Sequence, residues 1–357
     1  MRERNLSLIL NFLEVSDFVM NKRYIILLSI AFLVVLILYG GYTLFKRNTS
    51  FIVFTFTDLN QVTYYYKYDL KNQQTEQLLE SNITTAPRAV LHKQKNEMYF
   101  PYRSSDGSVQ LFKKDLNQRN SEKTQLTNSL YAINNFLLAD SKIFMNVVNG
   151  NHRNLQLATY DIEKKRLNVW DSNDTDKNIR DFDYSKTTNK VYAVVYSNKE
   201  LYDKILQARS TNPYVLSPPT YTIVEYDSNG NKLRDICKIN KGIDRISVSN
   251  QGDTLLISAT EQEVVGKSAI YKIDIDKGSL TPVLVEDKNH MFLTEPRFSP
   301  DKEGFYFLAS PSNKTLKDKE GVEGRNRMLY YFNFNSKKIT KVWGKENGTI
   351  NHFMIQY

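Results

Sequence analysis

The chain has 357 residues, 12% of them aromatic, with 23 Tyr, 19 Phe and only 14 Gly, which excludes a collagenous or disordered polymer and suits a sheet-rich protein. Its net charge of +9 contains no Lys/Arg-rich run, which argues against nucleic acid as a partner and suits a surface near polyanions such as cell-wall polymers or anionic lipid. Cys237 is the single cysteine, so there is no disulfide framework and no Cys-based zinc site; in KLRDICKI it reads as a small buried hydrophobe.

Residues 1–19 place Leu6, Ile9, Leu10 and Leu13 at helical spacing, as an interfacial helix would. Met20-Asn-Lys-Arg equally resembles a natural start, which would make the earlier residues an upstream extension. Tyr24 to Phe45 contains 22 residues without a charge, enough at about 1.5 Å per residue to cross a hydrocarbon core of roughly 30 Å. It is expected to be a transmembrane helix; the rival reading, a cleaved secretory signal, is disfavoured by its length and by the lack of a small-x-small cleavage site. Arg4, Lys22 and Arg23 before the span, against Lys46 and Arg47 after it, predict a cytoplasmic N-terminus, a single-pass cell-membrane protein and an extracytoplasmic remainder.

From residue 50 the chain repeats. Short aromatic and β-branched runs end at Asp69 (YYYKYDL), Asp115, Asp161, Asp227, Asp274 and Asn333, in steps of 46, 46, 66, 47 and 59 residues. A period in the forties built of strand-like runs is the signature of a β-propeller. The fifth repeat writes its four strands, a to d, most clearly: 243–250, 253–260, 269–275 and 280–285. The other a strands start near Ala86, Asn134, Ile179 and Leu293, but the first repeat enters directly at SFIVFTFT (50–57), which matches a b strand. Its missing a strand has a donor at the far end, INHFMIQY (350–357), and this closure would remove exposed edges. The fold class is therefore all-β: a six-bladed propeller of four-stranded antiparallel blades preceded by one N-terminal transmembrane helix. The expected domains are a tail at 1–23, the helix at 24–45, a linker at 46–49 and the propeller at 50–357.

EPRFSPDKEGFYFLAS (295–310) and RISVSNQGDTLLISAT (245–260) resemble the strand, Ser-Pro-Asp-Gly turn, strand signature of TolB-like β-propeller repeats, which are also similar to the propeller repeats that precede the hydrolase domain of the prolyl oligopeptidase group. The resemblance covers roughly residues 50–357. Lys302 and Glu303 precede Gly304, Asn250 and Gln251 precede Gly252, and the second and third repeats depart further. The motif is structural and implies a six-bladed ring rather than an activity.

Strands in a blade alternate direction, so b–c and d–a loops share one face and a–b and c–d loops the other. A linker of about five residues, ~18 Å at most when extended, enters on the a–b side, so the b–c face is expected to look away from the membrane. Both long steps fall on that face. Their extra residues lie between b and c of blade four (198–220) and of blade six (311–327). The first, with Tyr202, Ile205, Leu206 and Tyr214, predicts a short helix ending before Pro213; the second reads as a charged, mobile loop. Tyr202, Arg209, Tyr214, Lys317 and Arg325 are the candidate binding residues of these insertions.

Aligned a strands bring a second set together, Arg88, Asn135, Asp181, Arg245, Arg297 and His352, with Arg180 adjacent. At the mouth of a central channel their cations are suited to hold an anionic group. The other reading is a set of ion pairs between blades, with Arg245 or Arg297 on Asp244, Glu295 or a neighbouring blade's carboxylate.

No cofactor or metal is expected. VVGKS (264–268) lacks the first glycine of a phosphate-binding loop, since Glu261 stands there. DSNDTDKN (171–178) lacks the glycine and terminal glutamate of a calcium loop, and His92, His152, His290 and His352 are far apart in sequence. Asp181 and Asp183 read as structural carboxylates, and no G-x-S-x-G elbow occurs. The expected function is a membrane-anchored extracytoplasmic binding or scaffold module for a protein partner or an anionic envelope polymer. The alternative is a glycan lyase or hydrolase that uses Asp181, His352 and the arginines at the channel mouth.

Overall fold

A computed structural model describes residues 50–356, apart from 83–86, 119–120, 151–152, 213 and 264–265, together with Leu33. The expected span at 24–45, Leu33 apart, the helical pattern at 1–19, His152, Pro213 and part of VVGKS lie outside the described residues. No helix among the described residues is long and apolar enough to cross a membrane.

The described chain forms six four-stranded antiparallel sheets. Blade one takes strand a from the C-terminal end, Gly348–Gln356, and continues with b, c and d at Phe51–Asp58, Val62–Asp69 and Thr75–Asn82. Blade two is Val90–His92, Glu97–Arg103, Val109–Asp115 and Thr124–Gln125; blade three is Leu130–Ala139, Lys142–Asn149, Leu155–Asp161 and Arg166–Val169. Blade four is Lys177–Ser185, Lys190–Ser197, Tyr221–Asp227 and Lys232–Ile239, and blade five Gly242–Val248, Thr254–Thr260, Ser268–Asp274 and Leu280–Val285. Blade six is Met291–Phe298, Gly304–Ser310, Met328–Asn333 and Ile339–Trp343.

The middle of each b strand is buried because its two faces meet different blades. In blade one, Phe51 and Val53 pack on Ala89, Leu91 and Phe100 of blade two and its approach, while Ile52, Phe54 and Phe56 pack on Leu308 and Leu329 of blade six. Val191 and Ala193 of blade four join Phe144 of blade three, and Tyr192 and Val194 join Ile246 and Ile257 of blade five. Six such clusters, one per blade interface, form the core. The d strands lie outermost and carry mostly exposed or half-exposed residues, as in Thr75–Asn82.

The acidic or amide residue that ends each c strand has a local task. Asp69 Oδ1 accepts the backbone N–H of Lys71 and Asn72, Asp161 those of Glu163 and Lys164, Asp274 those of Asp276 and Lys277, and Asn333 those of Asn335 and Ser336. These Asx turns reverse the chain into strand d. The Ser-Pro-Asp turn works similarly: Ser299 Oγ accepts from Gly304 N at 3.1 Å, and Asp301 accepts from Glu303 N at 3.0 Å.

Both insertions carry regular structure among their described residues. Residues 198–209 form α1 (Asn198–Arg209), capped by Ser197, whose hydroxyl accepts Glu200 N–H at 3.0 Å. The chain beyond α1 is fastened to blade five by Glu263 N–H donating to Leu216 O. The blade-six insertion is not the loop its charge suggested but a hairpin, Thr315–Lys317 with Glu323–Arg325. Asp318 makes the turn by accepting Glu320 and Val322 N–H, and Gly321 supplies a φ of 80°. Gln61 and Leu59 of blade one hold it through Gln61 Nε2 to Asp318 and Lys319 N–H to Leu59 O.

Strand a of blade one pairs with Phe51–Asp58 over its whole length, and Gln356 also bonds both backbone groups of Leu91 in blade two. Deleting residues 349–357 removes Ile350 and Phe353, each fully buried and worth ~2–3 kcal/mol, and reopens an edge. Urea unfolding of the truncated chain is expected to lose its single cooperative transition; an unchanged midpoint and slope would refute this closure.

Candidate functional site

The six polar positions of the a strands meet around the axis and link every blade to the next. Arg88 Nη1 lies 3.3 Å from His352 Nδ1, joining blades two and one, and donates to Asn135 Oδ1 of blade three at 2.9 Å. Asn135 Nδ2 donates to Asp181 Oδ1 of blade four at 2.7 Å, and Asp181 Oδ2 accepts Ile246 N–H of blade five at 3.0 Å. Arg245 Nε donates to Glu295 Oε1 of blade six at 3.4 Å, and His352 Nδ1 donates to Glu295 Oε2 at 2.7 Å, which returns the ring to blade one. Arg297 reaches across blade five, with Nη1 3.2 Å from Asp183 Oδ2 and 3.4 Å from Ile246 O.

These groups are almost fully enclosed: Asp181, Glu295, Asn135 and His352 expose 2% or less of their surface. Burial raises the Asp181 carboxyl, although Arg245, Arg297 and Arg88 oppose this. Burial acts the same way on Glu295, but His352, Arg245 and Arg88 outweigh it and hold that carboxyl well below its usual range. Burial and the charges of Arg88 and Arg297 push His352 down to about 4 against the pull of Glu295. Arg88 is lowered to about 10 by burial and by Arg245 and Arg297. The imidazole is thus neutral at pH 7, with Nδ1–H on Glu295 and a buried Nε2 that has no partner among the described residues.

The mouth on the b–c side carries charges that the aligned a-strand positions leave out. Asp244 Oδ1 pairs with Arg245 at 3.2 Å and faces Arg180 at 3.9 Å, while Asp244 Oδ2 accepts from Thr294. Glu263 accepts from Tyr221 at 2.8 Å, and Tyr221 packs on Tyr196. Arg327, the last residue of the blade-six insertion, is close enough to be influenced by Glu295, Asp244 and Arg245. Sequence spacing gave no sign of Arg327, because it follows an irregular insertion.

The insertion residues stand apart from the ring. Tyr202 and Tyr214 are 60% and 56% exposed, with Leu206, Val215 and Val322 exposed as well. Arg209 is exposed at the end of α1. Lys317 pairs with Glu323 at 3.2 Å, and the Arg325 guanidinium lies 3.2 Å from the ring centre of Phe292, so these two are partly engaged within the hairpin and with blade six. The acidic loop at 171–178 is likewise committed locally: Asp174 accepts Asp176 and Lys177 N–H, Asp176 accepts Lys199 N–H, and Asp171 pairs with Lys177.

No protein-family model matches the chain. It is similar to the uncharacterised protein YdjN of Bacillus subtilis, 26% identical over 312 residues, covering 85% of this chain and 86% of that one. Among solved structures it resembles TolB of Acinetobacter baumannii (TM-score 0.55, 13% identity, 86% of this chain) and spans 66% of that protein's length. A TolB candidate from Agrobacterium tumefaciens is similar at a TM-score of 0.55 and 10% identity, covering 84% of this chain and 91% of that one. The chain is a six-bladed β-propeller with TolB structures among its neighbours. At these identities the likeness is one of fold.

His352 gives the ring a pH signature. Between its ordinary value near 6.5 and its folded value of about 4, the unfolded chain binds the proton that the folded chain refuses, so stability falls on acidification. Glu295 acts in the same sense at lower pH, whereas the raised Asp181 acts in the opposite sense. Moving from pH 7.5 to 5 is expected to cost about 2 kcal/mol through His352, read as a lower urea midpoint. His352→Asn should remove most of that difference; an equal drop in wild type and variant would contradict the assignment.

Proposed function

We propose that this protein is a membrane-anchored, extracytoplasmic propeller that binds a protein partner through its b–c face and catalyses no reaction. Residues 24–45 serve as the anchor, 1–23 as a cytoplasmic tail and 46–49 as the linker. The observation that carries this reading is the placement of both departures from the minimal repeat. α1 with its following loop and the 315–325 hairpin arise between strands b and c, flank blade five, and are each pinned to a neighbouring blade. Loops held in this way on a rigid scaffold are where binding surfaces are built.

The exposed residues have the right chemistry. Tyr202, Leu206, Tyr214, Val215 and Val322 offer aromatic and aliphatic surface beside Arg209, and interfaces are enriched in such aromatic and arginine anchors. Arg88, Asn135, Asp181, Arg245, Arg297 and His352 form the floor of the same face, linked through Glu295, Asp183 and the Ile246 backbone and giving the rim a fixed shape.

One observation favours the enzymatic alternative. Glu295 holds His352 by Nδ1, as the carboxylate of a hydrolase triad holds its base. The other nitrogen, Nε2, is sealed from solvent, so a substrate atom has no approach to it in this conformation.

A single cell-surface experiment tests location and binding together. Cysteine at Arg209, Glu320 or, as a control on the a–b face, Lys302 is reacted on intact cells with a membrane-impermeant thiol photocrosslinker in a Cys237→Ser background. The Arg209 and Glu320 positions should label and yield the same heavier adduct, and the Lys302 position should yield none. Protection of Arg209 and Glu320 would sink the extracytoplasmic placement; labelling without an adduct would sink the partner.

A further inference from the structure

Arg327 sits where the blade-six hairpin returns to strand c, and its backbone is fixed there. Its N–H donates to Thr349 Oγ1 at 3.3 Å, and its carbonyl accepts Ile350 N–H at 3.1 Å, which fastens it to the head of the closing strand. Its guanidinium has no such fastening. Among the described residues it makes no ion pair and no hydrogen bond, although protein crowds it on most sides and solvent still reaches part of it.

The nearby carboxylates are already engaged. Asp244 serves Arg245, Arg180 and Thr294, and Glu295 serves His352, Arg245 and the Phe353 N–H. Burial lowers the pKa of Arg327, and the charge of Arg245 adds to this, against Glu295 and Asp244. A desolvated cation without a partner destabilises a fold. Such a cost is tolerated where a ligand supplies the missing charge. Across Asp244, Arg180 is held by Ile243 O through Nε, and its Nη2 stands 3.9 Å from the carboxylate, which leaves donor capacity on that side of the mouth as well.

We propose that Arg327, with Arg180 across Asp244 at the channel mouth, binds an oxyanion, a carboxylate or a phosphate, carried by the ligand of the b–c face. This rests on the reading of that face as the binding face and names the group it recognises. The planar fork of arginine matches two oxygens of either anion, and the end of the blade-six insertion brings Arg327 into the field of Asp244 and Glu295. The buried arginines beneath cannot take this role, because Arg88 is joined to Asn135 and Arg297 to Asp183 and Ile246.

Sodium glucuronate and glycerol 3-phosphate, titrated calorimetrically into the detergent-solubilised full chain, test the site and its chemistry. Wild type should bind at least one of them, glucuronate alone marking a carboxylate site and glycerol 3-phosphate alone a phosphate site. Arg327→Gln should weaken binding at least tenfold while the unliganded unfolding temperature stays level or rises, since an unpaired, half-buried cation has been removed. Arg327→Lys, which keeps the charge without the fork, should fall between. No saturable binding by wild type, equal binding by Arg327→Gln, or a marked fall in the unfolding temperature of Arg327→Gln would each overturn the proposal. Loss of the Arg209 and Glu320 crosslinks with anion binding intact would discard the protein partner and leave this site; crosslinks without anion binding would do the reverse.

Discussion

The carboxylate of Glu295 is the point at which the propeller is tied. It lies on strand a of blade six, receives Arg245 from blade five and His352 from blade one, and also accepts the Phe353 N–H. Its backbone adopts a φ of 50°, and Phe292 nearby a φ of 55°, a region that costs a non-glycine residue about 1–3 kcal/mol. The strand is bulged here, with its register shifted on both sides of Thr294. A charge so enclosed is stable only when its lone pairs are occupied, and here a histidine, an arginine and a backbone amide occupy them.

The same economy runs around the ring. Apolar clusters hold each pair of blades by area, but area alone permits neighbouring sheets to slide. The polar contacts from Arg88 through Asn135, Asp181 and the Ile246 amide to Glu295 and His352 fix one rotational setting for each blade. A rigid floor follows, and variation is left to the loops at its rim. The a–b and c–d turns are short and closed by Ser and Asx side chains, whereas the b–c side carries the helix, the hairpin and the incompletely neutralised arginines.

Much of this was legible in the sequence because a propeller imposes a pattern that each repeat must satisfy locally. Both faces of a b strand are covered, so VYAVVYS and FYFLAS are apolar without alternation, and the chain must reverse after strand c, so an Asp or Asn stands there. The absent first a strand and its C-terminal donor followed from the need to close the ring. Contacts across the axis obey no such rule. Arg297 passes over blade five to Asp183, and His352 meets a carboxylate 57 positions away; both depend on rotamers and bulges that period and composition do not encode. The blade-six hairpin was hidden for a related reason. Its strands are short, charged and unpatterned, and it is stabilised by an Asp-Gly turn and by blade one rather than by a buried face of its own.

The central claim is that the polar ring acts as one coupled unit rather than as separate surface pairs, and the Glu295–His352 contact tests it most directly. A double-mutant cycle of Glu295→Gln and His352→Asn, measured by urea unfolding of the full chain at pH 7.5, reads their coupling. Each single substitution is expected to destabilise strongly, and the double variant to be less destabilised than their sum by about 1–3 kcal/mol. Additive losses, with a coupling near zero, would contradict the account.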